Sequence, residues 1–388
     1  MTASTEDAAR KAASAIEQLA DTLYVRGDLA DKRIRRALHA APRHLFAPDR
    51  AWCAPDGPGY KRVIDRHRDH DDWWDAVYSD ASIVTQVDDG AGDPAGGVGE
   101  ATSSLSAPGV VAAFLELLNV QPGDRVLEIG TGTGWTAALL TALGAHVTTV
   151  EVDPALAELA DARLRRHGFD VEVLAGDGAE GAPDRAPFDA VHVTCGVTRV
   201  PYEWVRQTRP GGRIAAPWMP EFGDGHKVLL AVTEDGRAAG RLAGGAEYMM
   251  LRAQRTSLGD RIDTSPARET LTRLDPRRVA YDGGGAHAAI AGQLPDVMAV
   301  PWEGARFVLE LADVHGTSWA RCARSGTGMH RVHEGGPRRL WKEVADAYRR
   351  WTAWDRPGRD RFGMTVGADV QTVWLDDPGN TLCSRTRS

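Results

Sequence analysis

Cysteine is scarce in this chain and never clustered. The four cysteines, Cys53, Cys195, Cys322 and Cys383, lie far apart and form no CxxC pair. That spacing excludes the common zinc frameworks and a disulfide scaffold, so no metal is expected. Long apolar runs are missing too. The opening stretch MTASTEDAARKAASAIEQLA has no secretory core, and no run reaches the ~20 apolar residues of a membrane helix. The expectation is a cytoplasmic protein with no membrane partner. Nor is there an excess of positive charge: 46 Lys and Arg stand against 54 Asp and Glu, a net charge of -8. This argues against a nucleic-acid partner. No internal repeat is present.

What remains is a globular composition with 43% hydrophobic residues over 388 positions, long enough for two domains. Residues 8–24 carry helical apolar spacing through Ala12, Ile16, Leu19 and Leu23. A second helix is predicted in DLADKRIRRALHAAP, with Asp31 as N-cap and Ile34, Leu38 and Leu45 roughly on one face. Residues 54–102 hold ten aspartates and many glycines and read as a loop-rich acidic insertion. Strands and helices then alternate: VVAAFLELLNV (helix), RVLEIG (strand), GTGWTAALLTALG (loop into helix), HVTTVEVD (strand), PALAELADARLRRHG (helix), VEVLAGD, FDAVHVTCG, RIAAPW and KVLLAVTED (strands). Such alternation predicts a parallel, doubly wound α/β sheet. From residue 256 the texture changes to Arg- and Trp-rich. The expected division is 1–255 for the main domain and 256–388 for a smaller α+β module, a candidate for binding a peptide substrate.

The stretch LEIGTGTGW follows a strand and opens a helix. Gly130, Gly132 and Gly134 let the backbone turn sharply and approach a ligand. Their spacing is GxGxG, not the GxGxxG of dinucleotide sites, and no Lys-Ser/Thr follows for a nucleotide phosphate. Glu128 precedes the glycines. Glu151 closes the next strand, where an acid can accept both ribose hydroxyls. Asp177-Gly178 closes the third, where an acid can accept an adenine amine. Glycines flanked by acids at successive strand ends describe a pocket for a cationic adenosine compound, and S-adenosyl-L-methionine fits. Each charge-assisted hydrogen bond there contributes roughly 1.5–3 kcal/mol. The candidate cofactor set is Glu128, Gly130, Thr131, Gly132, Gly134, Glu151, Val152, Asp177, Gly178 and Thr194. The alternative is that each glycine is only a turn residue and each acid a solvated loop end.

SLSAP, VQPGDRVLEIGTGTGWTAAL, VEVLAGDGAEG, FDAVHVTCG and TRPGGRIAAPW together resemble protein-L-isoaspartate O-methyltransferase, over about residues 20–235. The resemblance implies a Rossmann-like fold, S-adenosyl-L-methionine as methyl donor with S-adenosyl-L-homocysteine as product, and a peptide carboxylate as acceptor. The family's Thr-Ile/Leu-Ser-x-Pro signature is matched by Ser104-Leu-Ser-Ala-Pro108. Ser106 falls at the active-site serine and Ser104 replaces the threonine. Three departures stand out: the acidic insertion, GEATSS where Gly-Gln is usual, and a C-terminal module that the shorter repair enzymes lack. Long relatives of this kind resemble methyltransferases of ribosomal-peptide natural products. They methylate an aspartate in a cyclised precursor, and the ester closes to an aspartimide. That is the leading expectation, with isoaspartate repair as the alternative.

Within that reading Ser106 donates to one carboxylate oxygen, with Ser104 beside it. Ser103, Ser104 and Ser106 also suit an N-cap for the helix that Pro108 opens, and both roles stay open for different serines. His192 reads as a core residue and Cys195 as an inert wall. Trp341, Val344, Tyr348 and Trp351 repeat at helical spacing as a core stripe. Residues 331–361 carry nine Arg and Lys against five acids. That run reads as a solvated face, with a grip on an acidic peptide as the alternative.

Overall fold

A computed structural model describes residues 3–55, 61–256, 267–326 and 328–383. The chain divides into two compact units. The first comprises Met1–Cys195 and Arg206–Ala215, the second Gly196–Val205 and Ala216–Ser388.

The first unit opens with α1 (Ala3–Arg26) and α2 (Lys32–Ala40). Their apolar spacing is realised in burial of Ile16, Leu19, Leu23, Ile34 and Leu38. Asp31 caps α2 as expected, its carboxylate accepting the Arg33 N–H at 2.7 Å. Next come β1 (Arg50–Pro55), β2 (Arg62–Asp65), α3 (His70–Val77), β3 (Ala81–Val87) and β4 (Ala101–Leu105). These strands form an antiparallel sheet in the order β2-β1-β3-β4.

The predicted loop-rich insertion at 54–102 is therefore largely a folded layer, its residues 56–60 lying outside the described ones. Ile64, Ile83, Val84 and Val87 point inward, and Trp73 and Trp74 bury α3. The aspartates punctuate these elements rather than spacing them. Asp69 caps α3, and Asp88 and Asp89 take left-handed turn conformations.

The predicted α/β alternation follows. The elements are α4 (Pro108–Leu118), β5 (Arg125–Ile129), α5 (Trp135–Ala142), β6 (His146–Glu151), α6 (Pro154–Arg166), β7 (Val171–Ala175) and β8 (Phe188–Val193). Then α7 (Tyr202–Gln207) leads into β9 (Thr208–Trp218). The parallel order is β9-β8-β5-β6-β7. Strand order reverses between β5 and β8, the kind of switch point where open α/β sheets hold ligands at the carboxyl ends of their strands.

The second unit contains β10 (Gly225–Val232), β11 (Ala238–Ala246), β12 (Arg268–Thr272), α8 (Pro276–Tyr281), α9 (Gly284–Gln293), β13 (Val297–Trp302), β14 (Val308–Asp313) and β15 (Trp319–Ala323). It ends with β16 (His330–Gly335), α10 (Leu340–Ala353), β17 (Phe362–Val366), β18 (Gln371–Leu375) and β19 (Thr381–Cys383). One antiparallel run is β10-β11-β17-β18-β19, and a five-stranded sheet runs β12-β16-β15-β14-β13.

The division falls earlier than residue 255. β11 pairs with β17 from Ala238↔Val366 to Arg241↔Gly363, which draws β10 and β11 into the second unit. That unit is α+β, as expected, and close to the first in length. The aromatic stripe of α10 is core: Trp341, Val344, Tyr348 and Trp351 are all buried. No described helix is long and apolar enough to cross a membrane.

Candidate functional site

The parallel register brings the sequence motifs to one edge of the first unit. Ile129 pairs with Val150 of β6 and Val193 of β8, and Glu151 pairs with Ala175 of β7. The glycine loop, Glu151, Asp177 and Thr194 thus leave the sheet side by side.

Gly130, Gly132 and Gly134 all have positive φ, at 91°, 54° and 87°. A Cβ at Gly130 would stand 2.5 Å from Thr194 Oγ1. That oxygen lies 2.9 and 2.5 Å from the Ile129 and Gly130 carbonyls, so Thr194 clamps the start of the loop. The Gly132 N–H donates to Glu151 Oε2 at 2.9 Å. Glu151 keeps further lone pairs at its strand end, the position expected for a ribose contact.

Glu128 lies under the loop and is fully buried. Its Oε2 accepts from Thr149 Oγ1 at 2.7 Å, and Thr149 is in turn 2.7 Å from Thr131 Oγ1. Its Oε1 has no hydrogen-bond partner among the described residues. Burial first, with the Glu151 charge adding, pushes this carboxyl up to about 8. A buried acid with an unpaired oxygen fits a cationic ligand group, because an opposite charge restores the ionised form.

Val152 is half-buried beside Glu151, and Asp177 is exposed, its carboxylate accepting the Ala179 N–H at 2.9 Å. Gly178 is buried behind Asp177. Burial pushes the Cys195 thiol up to about 12, with smaller contributions from Glu151 and Asp177. The thiol stays protonated near neutrality, in keeping with an inert wall. His192 is core as expected. Its ring meets Phe114 edge-on at 6.2 Å, and burial lowers its pKa to about 4.

The serine stretch abuts this loop. A Cβ at Gly132 would be 3.5 Å from the Ser104 carbonyl and 3.6 Å from Ser103 Oγ. Ser103 is buried, and its Oγ accepts from Thr85 at 3.3 Å. Ser104 and Ser106 are half-buried, and neither hydroxyl makes a hydrogen bond among the described residues. The capping alternative fails for all three serines. Ala107 occupies the N-cap of α4 and caps nothing, while Asp80 Oδ1 accepts the Gly109 N–H at 2.8 Å.

Sequence reasoning passed over Asp80 and, more consequentially, Arg43. Arg43 is buried and donates to the carbonyls of Val77, Ala81, Leu105 and Ser106, the last at 2.9 Å. Its guanidinium sits 5.3 Å from the Trp135 ring, and burial lowers its pKa to about 9. It ties the serine signature to the preceding sheet. A single arginine in PRHLF gives no sequence pattern from which to foresee this.

Among the described residues no group of His, Cys, Asp and Glu is arranged to hold a metal. The acids, the glycine loop and the orphaned Glu128 oxygen suit S-adenosyl-L-methionine.

Residues 63–249 match the family model of protein-L-isoaspartate(D-aspartate) O-methyltransferase. A protein-L-isoaspartate O-methyltransferase of Methanopyrus kandleri is 33% identical over 243 residues, spanning 61% of this chain and 90% of that protein. One from Pyrococcus horikoshii is 32% identical, spanning 60% and 90%. A solved structure titled protein-L-isoaspartate O-methyltransferase aligns over 93% of this chain and all of its own, with a TM-score of 0.54 at 20% identity. That likeness of fold extends into the C-terminal unit, whereas the two sequence relatives, matched over 90% of their own length, leave about two fifths of this chain uncovered. The chain belongs to the protein-L-isoaspartate O-methyltransferase family and is an S-adenosyl-L-methionine-dependent carboxyl O-methyltransferase of Rossmann-like α/β fold.

Proposed function

We propose that this chain methylates the side-chain carboxylate of an aspartyl or isoaspartyl residue in a peptide. The observation that carries this reading is the pair of half-buried hydroxyls of Ser104 and Ser106, unengaged among the described residues, on the stretch whose Ser103 Oγ and Ser104 carbonyl abut Gly132 of the glycine loop. S-adenosyl-L-methionine, when bound, supplies an electrophilic methyl. A carboxylate is already ionised near neutral pH and needs no general base. Glu128, Glu151 and Asp177 would hold the cofactor's amino group, ribose and adenine. Ser106 would donate to one acceptor oxygen and leave the other free to attack. A serine orients the carboxylate without neutralising it. Arg43, through the Ser106 carbonyl, fixes where that hydroxyl starts from. Alignment of oxygen, methyl carbon and sulfur then supplies most of the rate.

Two substrates suit such a site. L-isoaspartate in proteins is what the relatives' names describe. The second is an aspartate in a cyclised ribosomal precursor peptide. The departures at Ser104 and GEATSS favour it, because they alter the residues next to the acceptor. After methylation the neighbouring backbone nitrogen attacks the ester carbonyl, methanol leaves, and a five-membered imide remains.

The experiment offers the full chain a linear isoaspartyl peptide and a cyclised aspartyl peptide, followed by mass spectrometry. A gain of one methylene and then a loss of methanol, faster on the cyclised peptide, supports the biosynthetic reading. Equal or greater rates on the linear isoaspartyl peptide favour repair. No methylation of either rejects the carboxylate assignment.

A further inference from the structure

In the basic run at 331–361 the residues without a close ion pair among the described ones are Arg350 and Arg356, both exposed, and Arg359, which is not. Arg338, Arg339, Lys342, Arg349 and Arg361 pair with Glu343, Glu334, Asp346, Asp346 and Asp376, each within 3 Å. Arg359 differs. Its side chain is four-fifths buried, at 20% exposure, yet its only ion pair is a 3.6 Å contact with Asp224, and it makes no hydrogen bond among the described residues.

Its surroundings are built of glycine. A Cβ at Gly284 would stand 2.0 Å from Arg359 Nη2, and one at Gly245 2.7 Å from Nη1. Gly284 is the first residue of the ten-residue helix α9, and Gly283 at its N-cap offers no side chain. The first-turn N–H groups of Gly284, Gly285 and Ala286 have no partner inside a helix and, among the described residues, none outside it. They and the helix dipole favour an anion.

A second observation comes from His226. It is fully buried, stacked on Trp218 at 5.2 Å, and neither ring nitrogen has a hydrogen-bond partner among the described residues. In the pairing of β10 with β11 it lies opposite Gly245, the glycine against which Arg359 Nη1 packs. Asp224 is the acid that faces Arg359. It is 56% exposed, and His287 Nδ1, 3.2 Å from its carboxylate, accepts the Asp224 backbone N–H at 3.0 Å, so the carboxylate is free to swing aside.

We propose that Arg359, the N-terminus of α9 and His226 form a carboxylate-binding subsite in the second unit, which takes an acidic side chain of the peptide substrate. The choice of an acidic peptide rests on the peptide-carboxylate reading above; the anion site itself does not. A free phosphate shares the recognising chemistry, so the test includes both.

The test uses the full chain and a fluorescent, acetylated and amidated tetra-aspartate peptide, read by anisotropy, with inorganic phosphate as competitor. Arg359→Gln should weaken peptide binding tenfold or more, and Asp224→Asn should strengthen it several-fold. Arg349→Gln, an exposed member of the same run, should change it less than twofold. Thermal melting and cofactor affinity check that each variant is folded. Unchanged binding in both Arg359→Gln and Asp224→Asn overturns the site, as does phosphate binding tighter than the peptide. Methyl transfer to an isoaspartyl peptide is measured in parallel. Its absence in the wild type, with anion binding intact, counts against the function and leaves the subsite standing.

Discussion

In the proposed reading Ser106 and Glu151 serve opposite ends of the transfer, so their removal should read differently in kinetics. Ser106→Ala leaves the glycine loop alone and should lower kcat/KM for the peptide at least tenfold, ~1.4 kcal/mol of transition-state stabilisation. Calorimetry should give unchanged affinity for S-adenosyl-L-methionine. Wild-type turnover would remove Ser106 from the acceptor contact. Glu151→Ala should weaken cofactor binding by roughly 1.5–3 kcal/mol, the value of a charge-assisted hydrogen bond. The same carboxylate holds the Gly132 N–H, so a melting curve must accompany the titration.

Glu128 adds a pH dependence. Its folded pKa, about 8, lies above the ordinary 4.5. Between those values the folded state keeps a proton that the unfolded state releases, so this group's contribution to stability falls as pH rises. Glu128→Gln should flatten that fall, and its melting temperature relative to wild type should be higher at pH 8 than at pH 5. A difference independent of pH would mean that Glu128 is not protonated in the folded protein.

Among the elements, the junction of β4 and α4 carries the most consequence, because it sets the serines against the loop. Asp80 fixes that junction by capping α4 and pairing with Arg26 at 2.7 Å. Asp80→Ala should cost about 0.5–2 kcal/mol, the range for a lost N-cap, read as a lower denaturation midpoint at constant slope. No loss of stability would assign the capping to solvent.

The same junction shows how far the sequence was legible. The strand-loop-helix around Gly130–Gly134 and the acids at following strand ends were readable because each motif is local and the parallel register aligns them automatically. Asp80, Arg43 and the antiparallel sheet of residues 50–105 were not. Arg43 and Asp80 act on backbone groups distant in sequence. The sheet's short apolar strands lie between capping and turn aspartates, whose number dominates the composition and mimics a loop. The serine cap was excluded only by seeing Ala107 at the cap position.

For the whole molecule, the place where the chain divides decides which deletions are informative. A cut at the composition change near residue 255 looks natural in sequence. It would leave β10 and β11 without β17 and β18, with which they form one antiparallel run. The edge of β11 from Ala238 to Arg241 would lose its partner strand, and Val228, Leu230 and Leu242, buried in the intact protein, would lose part of their cover. An unpaired edge beside newly exposed apolar side chains promotes association between chains. The chain shortened to residue 255 should therefore elute as oligomers or aggregate, and melt at lower temperature than the full protein. Size-exclusion chromatography with light scattering and a thermal melt check this. A monomeric, cooperatively melting product would show that β10 and β11 hold without β17, and would make the deletion a fair test of the second unit's role in peptide recognition.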